Sequence, residues 1–241
     1  MKSAMSKLLI ECFATMLFTM MFMTGNMFIM LLGLWILTVF CWKISGSHLN
    51  PAITFAYMFR KDPDAKHMGL PLGLLYISAQ FAGAYCGALL MGFFTWGVVV
   101  MKPVDNDEIF PAMMQEMGGT FLLCVFFMMQ TDERMHFSKE PAINCFIIAS
   151  AYVGSRAVVN GTTMTISTYG ACMNPAVAIG IILASIFSQG GQALTYVWIY
   201  PVMPLAGSVL GILFYEFVYK KTQMMLKETR TEHDYENGVE Q

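Results

Sequence analysis

Charge is what this sequence has least of. Asp, Glu, Lys and Arg make up 12% of its 241 residues, against about 25% in an ordinary soluble domain. The formal net charge is only −2, and no run of Lys and Arg forms a patch, which excludes a nucleic-acid partner read through electrostatics. Histidine is scarce. His48, His67, His136 and His233 are dispersed and lack Cys or carboxylate partners, so neither a metal site nor a cofactor nor a catalytic base is expected, and an enzyme is excluded with them. The six cysteines show no CxxC spacing and lie in or beside apolar stretches, where Cys acts as a small buried hydrophobe. The first apolar run is too long for a cleavable leader and lacks its small-residue cleavage pattern.

Apolar residues fill the space that charge leaves. They are 56% of the chain, at a mean hydropathy of +0.57, more than one domain of this length can hide from water, so lipid is expected to cover them. Stretches long enough to cross a bilayer, about 17–25 residues, fall at 6–24, 27–43, 71–100, 112–130, 142–159 and 193–219. Gly25-Asn26 is the one plausible break between the first two, which predicts a tight helical hairpin. Two further apolar stretches, 51–59 and 175–187, are too short to cross. Each begins with Pro, which suits the first position of a helix because its missing N–H would be unpaired there anyway.

Charge, sparse as it is, predicts an orientation. With six spans and the N-terminus in the cytoplasm, 12 of the 14 Lys and Arg fall on the cytoplasmic side, leaving Lys102 and Arg156 on the other. That asymmetry is the positive-inside pattern. Both termini are then cytoplasmic, and the loop with Asp105, Asp107 and Glu108 faces outward. Residues 222–241 read as a polar tail without regular structure.

The chain also repeats itself. Asn50-Pro51-Ala52 returns 124 residues later as Asn174-Pro175-Ala176, and Ala82-Gly83 with Gly87 returns at the same offset as Ala206-Gly207 with Gly211. Glu11 with Thr15 returns as Glu116 with Thr120, 105 residues on. Each repeat holds three spans, an odd number, so the second is inverted in the membrane. The expected organisation is a first repeat over 1–100, a connecting loop over 101–111, a second repeat over 112–221, and the tail.

These residues resemble the aquaporin, or major intrinsic protein, family. Ser45-Gly46-Ser47-His48-Leu49-Asn50-Pro51-Ala52 is similar to that family's first signature loop, and Gly170-Ala171-Cys172-Met173-Asn174-Pro175-Ala176 to its second. Ala79-Gln80 with Gly83, and Pro204 with Gly207 and Gly211, resemble its third and sixth helices. The resemblance covers about residues 5–220. It implies an all-α, hourglass-shaped membrane protein of six transmembrane helices and two Asn-Pro-Ala half-helices. It further implies a homotetramer in the lipid bilayer that passes water or small neutral solutes. Two departures stand out. Val177 follows the second Asn-Pro-Ala where the family has Arg at its narrowest constriction. The shortened first hairpin leaves Met30 or Leu32 at the span-two position of that filter, while Ser155 aligns with the span-five position. The filter is therefore expected to be apolar and uncharged.

The chemistry of the paired motifs can be read directly. Asn50 and Asn174 stand at N-caps, where the side-chain oxygen accepts from free backbone N–H groups and the NH₂ is left facing a pore. The half-helix N-termini add positive potential there, which orients water and repels cations. Loops 46–49 and 170–173 (Gly46, Ser47, His48, Leu49; Gly170, Ala171, Cys172, Met173) cannot be helical. At membrane depth such backbone survives only where it lines a wet cavity or is buried in protein, so their carbonyls are the expected acceptors for a file of water. Glu11 and Glu116 are acids inside apolar spans, read as braces that accept from the loop of their own repeat. A channel is the leading reading. A non-conducting structural subunit of a larger membrane assembly is its main competitor, and a proton-coupled transporter is the weaker third.

Overall fold

The computed structural model describes residues 2–60, 68–96, 101, 108–160 and 171–236, with Lys2 and 230–236 as backbone only. Helices α1 (Lys2–Met23), α2 (Met27–Trp42), α3 (Pro51–Met58) and α4 (Leu70–Thr95) form the first half. The second half has α5 (Ile109–Thr131), α6 (Pro141–Asn160), α7 (Pro175–Gln189), α8 (Ile199–Phe214) and α9 (Lys220–Glu236). The hairpin between α1 and α2 turns where expected. Gly25 takes φ +66°, and Asn26 Oδ1 accepts from the N–H groups of Phe28 and Ile29 at 2.9 and 3.2 Å.

Among the described residues, six helices are long and apolar enough to cross a membrane: Ser3–Met23, Leu70–Thr95, Ile109–Thr131, Pro141–Asn160, Pro175–Leu194 and Ile199–Thr229. Length alone thus admits α7 and omits α2, whose 16 residues reach only about 24 Å. Packing argues the other way. Helix α7 starts at Asn174, which is buried and hydrogen-bonded to Leu49 of the opposite loop, so it begins inside the bundle. Helix α2 runs back along α1, and residues 43–50 then return to the interior. The stretch read as span six begins later than expected, at Ile199, because Gly190–Leu194 form a separate 3-10 turn. Residues 222–236, expected to lack structure, continue as α9. Lys, Glu, Gln, Met and Leu there favour helix, and the Lys227 ammonium donates to the Arg134 carbonyl at 2.9 Å.

The repeat is visible in the packing. Helix α1 lies on α4 as α5 lies on α8, while the half-helices cross over, α3 onto α8 and α7 onto α4. Close approach needs the duplicated glycines. A Cβ at Gly83 would sit 2.0 Å from the Cys12 carbonyl oxygen, and one at Gly207 would sit 2.3 Å from that of Met117.

At the end of the bundle that carries the N-terminus, Asp132 ties three elements together. It meets the Arg60 guanidinium at 3.1 Å and that of Arg134 at 3.4 Å, and accepts from the Tyr215 hydroxyl at 2.7 Å. Tyr215 opens a π-helical turn, Tyr215–Tyr219. Burial pushes the Asp132 carboxyl up, but the Tyr215 hydroxyl, the Arg134 N–H and the two guanidinia together hold it below the ordinary carboxylate range. Its folded pKa is thus lower than its unfolded one. The stabilisation is fully present above about pH 4 and is lost as pH falls through the folded value. Asp132→Asn should therefore melt below wild type at neutral pH in detergent, and the two melting curves should converge on acidification. A constant gap across the titration would assign the Asp132 contribution to packing instead.

Candidate pore

Two loops meet at the centre of the bundle, and the backbone there is unusual. Leu49 and Met173, each directly before its Asn, have φ of +50° and +56°. Non-glycine residues rarely adopt the left-handed region, and it persists where the surroundings enforce it. Here the result is that each turned carbonyl meets the other repeat. Asn50 Nδ2 donates to the Met173 carbonyl and Asn174 Nδ2 to the Leu49 carbonyl, both at 2.8 Å. The asparagine oxygens cap their own half-helices, Asn50 Oδ1 accepting from Ala52 N–H at 2.9 Å and Asn174 Oδ1 from Ala176 N–H at 3.1 Å. Each NH₂ carries two hydrogens. One is committed to the crossed bond and one remains for a passing molecule.

The two acids hold these loops. Glu11 accepts from the Ser45 hydroxyl at 2.6 Å, His48 N–H at 3.1 Å, Leu49 N–H at 2.7 Å and Gln80 Nε2 at 2.8 Å. Glu116 accepts from Cys172 N–H at 2.6 Å and Met173 N–H at 2.7 Å. Both carboxylates are buried, so the donors they satisfy have no water to turn to.

The loop carbonyls expected to face water are partly engaged. That of Cys172 accepts from the Tyr152 hydroxyl at 2.7 Å, and that of Ala171 from the Arg156 guanidinium. A carbonyl has two lone pairs, so each keeps one. Gly170 lies outside the described residues.

Around Asn50 and Asn174 is a cavity of about 20 Å³, walled by Phe18, Leu34, Thr38, Leu123, Phe127, Ile148 and Tyr152 among others. One water needs roughly 10–15 Å³ of such space, so the cavity has room for one. Phe18 and Tyr152, both on its wall, pack edge to face with ring centroids 5.2 Å apart. Toward the N-terminal end lies a wider vestibule of about 380 Å³ that includes Lys7, Lys43, Tyr57 and Tyr76. His48 lines both spaces. Its ring is fixed by Tyr57 at 4.8 Å, Tyr76 at 5.5 Å and Thr54 Oγ1, 3.2 Å from Nδ1.

Residues 28–215 match the family model described as Major intrinsic protein. The chain belongs to the major intrinsic protein family. It is 34% identical over 188 residues to rat Aquaporin-6, covering 73% of this chain and 58% of that protein. It is also 29% identical over 197 residues to rice Probable aquaporin PIP2-8, covering 78% and 66%. The chain thus spans about three fifths of the length of the rat relative. A crystal structure of the aquaglyceroporin from Plasmodium falciparum shares the fold, with a TM-score of 0.64 at 20% identity over 90% of this chain and 96% of that one. Family membership and the apolar helices make this an integral, multi-pass membrane protein, of a family whose members are channels rather than enzymes.

The residues expected at the filter of this family member differ in burial. Met30 is wholly buried, in the same apolar cluster as Val177, whereas Leu32 stands outside that cluster. Ser155 and Val177 are also buried. Sequence reasoning assigns no pore role to Phe18, Tyr152 or Arg156. The one signal for Arg156 was a cation near the outer end of an apolar span.

Proposed function

We propose that this protein is a passive membrane channel for water, with small neutral solutes such as glycerol and urea as slower permeants. The observation that carries the reading is the crossed pair of asparagine bonds, which leaves one free N–H on each side of a cavity sized for one water. Water passing there must accept from both donors at the positive ends of two half-helices, which breaks a continuous donor–acceptor chain. The charge asymmetry supports cytoplasmic termini, and the family supports a homotetramer. Proteoliposomes in a stopped-flow osmotic assay should swell well above empty vesicles. Equal rates with folded, monodisperse protein would discard the channel.

The filter is proposed to be apolar at Val177 and Met30, with Ser155 beside them. Val177→Arg adds bulk and fixed donors and should lower glycerol and urea flux by about tenfold relative to water, the scale of one lost favourable contact. An unchanged flux ratio would mean that this position does not border the path.

One observation favours a second reading, a non-conducting structural subunit. The Phe18 and Tyr152 rings pack against each other on the cavity wall, an apolar lining at which dewetting can stop flow. Phe18→Ala separates the two readings: an inert wild type with a conducting variant would indicate a sealed pore.

A further inference from the structure

Helical spacing locates a second layer of side chains beyond the cavity. Ile148, Tyr152 and Arg156 are four residues apart on α6 and so share a face. Ile148 and Tyr152 line the narrow space. Arg156 is the next step outward, about 6 Å along the helix. The neighbouring helices take the same step. On α1, Phe18 lines the cavity and Phe22 lies one turn beyond it. On α2, which runs the other way, Leu34 lines the cavity and Met30 lies one turn beyond it. The contacts agree with this layering, because the Arg156 guanidinium lies over the Phe22 ring at 4.6 Å.

Arg156 is only 6% exposed. It donates through Nη1 to the Ala171 carbonyl, while its Nε, itself buried, has no partner among the described residues. The Glu116 carboxylate accepts from the Cys172 and Met173 N–H groups. Among the described residues, Arg156 and Glu116 do not form an ion pair. A guanidinium is planar and cannot be deprotonated in a protein. Stacked on Phe22 and tethered to a loop carbonyl, it keeps its charge at a fixed place one turn beyond the cavity wall.

We propose that Arg156 is the selectivity-determining cation of this pore. Supplied by span five, it does what Val177 cannot do from the second half-helix. Its charge turns back protons and metal cations. This assignment rests on the channel reading.

The test uses full-length protein in liposomes. Water flux is read by light scattering, and proton or potassium entry by an enclosed pH dye under an imposed gradient. The wild type should pass water and exclude both ions. Arg156→Met, checked for folding by size exclusion, should leak cations about tenfold or more relative to its own water flux. Arg156→Lys keeps a charge and should stay tight to cations. The double variant Arg156→Met/Val177→Arg returns a guanidinium from the opposite element and should restore exclusion. A folded Arg156→Met that conducts water and still excludes cations would overturn the proposal. If that variant does not fold, a leaky Arg156→Lys would overturn it and a tight one would uphold it. A wild type inert to water would instead remove the channel reading and this assignment with it.

Discussion

Glu11→Leu is expected to abolish the folded protein, while Glu11→Gln is expected to give an assembled protein of lowered stability. The carboxylate gathers four donors from three separate places: the Ser45 hydroxyl, the His48 and Leu49 N–H groups, and Gln80 on α4. Leucine offers none of them an acceptor, and each orphaned buried donor costs about 1–3 kcal/mol. Four such losses together match the whole net stability of a typical domain, about 5–15 kcal/mol. Glutamine keeps one acceptor oxygen and the same length, so the two loop N–H groups can share it. Melting and size-exclusion profiles in detergent distinguish the cases. A leucine variant that elutes and melts as wild type would show that loop 45–49 is held by something other than this acid. Glu116→Leu loses two N–H bonds and should follow the same order with a smaller deficit.

Gly83→Val should be the second most damaging change, and for a steric reason. The atom facing an added Cβ is the Cys12 carbonyl oxygen at 2.0 Å, and one turn on Gly87 faces that of Met16 at 2.3 Å. Backbone cannot rotate aside as a side chain can, so α1 and α4 must separate. Overpacking in a tight core costs about 1–3 kcal/mol, and more is expected against rigid backbone. The damage also reaches the pore, because α1 carries Glu11 and α4 carries Gln80, whose 2.8 Å bond spans this contact. Gly154 is the internal control, since nothing lies within 4 Å of a Cβ built there. Gly154→Ala on α6 should be neutral or gain about 0.5–1 kcal/mol from helix propensity. Equal melting shifts at the two positions would contradict a helix contact set by glycine.

The difference between what the sequence disclosed and what it withheld has a physical pattern. Asn50 and Asn174 were legible because a polar cap cannot be duplicated at membrane depth without a partner for it. Glu11 and Glu116 were legible because a buried acid needs donors and non-helical loops have them to spare. Both arguments concern satisfying polar groups, which sequence reveals through the cost of burying them. Arg156 obeys the same rule, yet its role depends on which way the last turn of α6 faces, and a span apolar nearly all round does not encode that. Phe18 and Tyr152 were hidden among other aromatics for the same reason. The choice between Met30 and Leu32 turned on one hairpin's length, which shifts the count by a fraction of a turn. In the packed bundle Met30 is inside the apolar cluster and Leu32 is not part of it.

The crossed asparagine bonds bear on how such a chain can arise and be built. Each repeat presents one donor and one acceptor at its centre, Asn50 with Leu49 and Asn174 with Met173, and each is satisfied only by the opposite repeat. A three-span unit of this kind is self-complementary under a half-turn, so two identical copies inserted in opposite senses would close the same pair of bonds. During synthesis the first half enters the bilayer with its central Asn and left-handed carbonyl unmatched, and the pore exists only once the second half has docked against it.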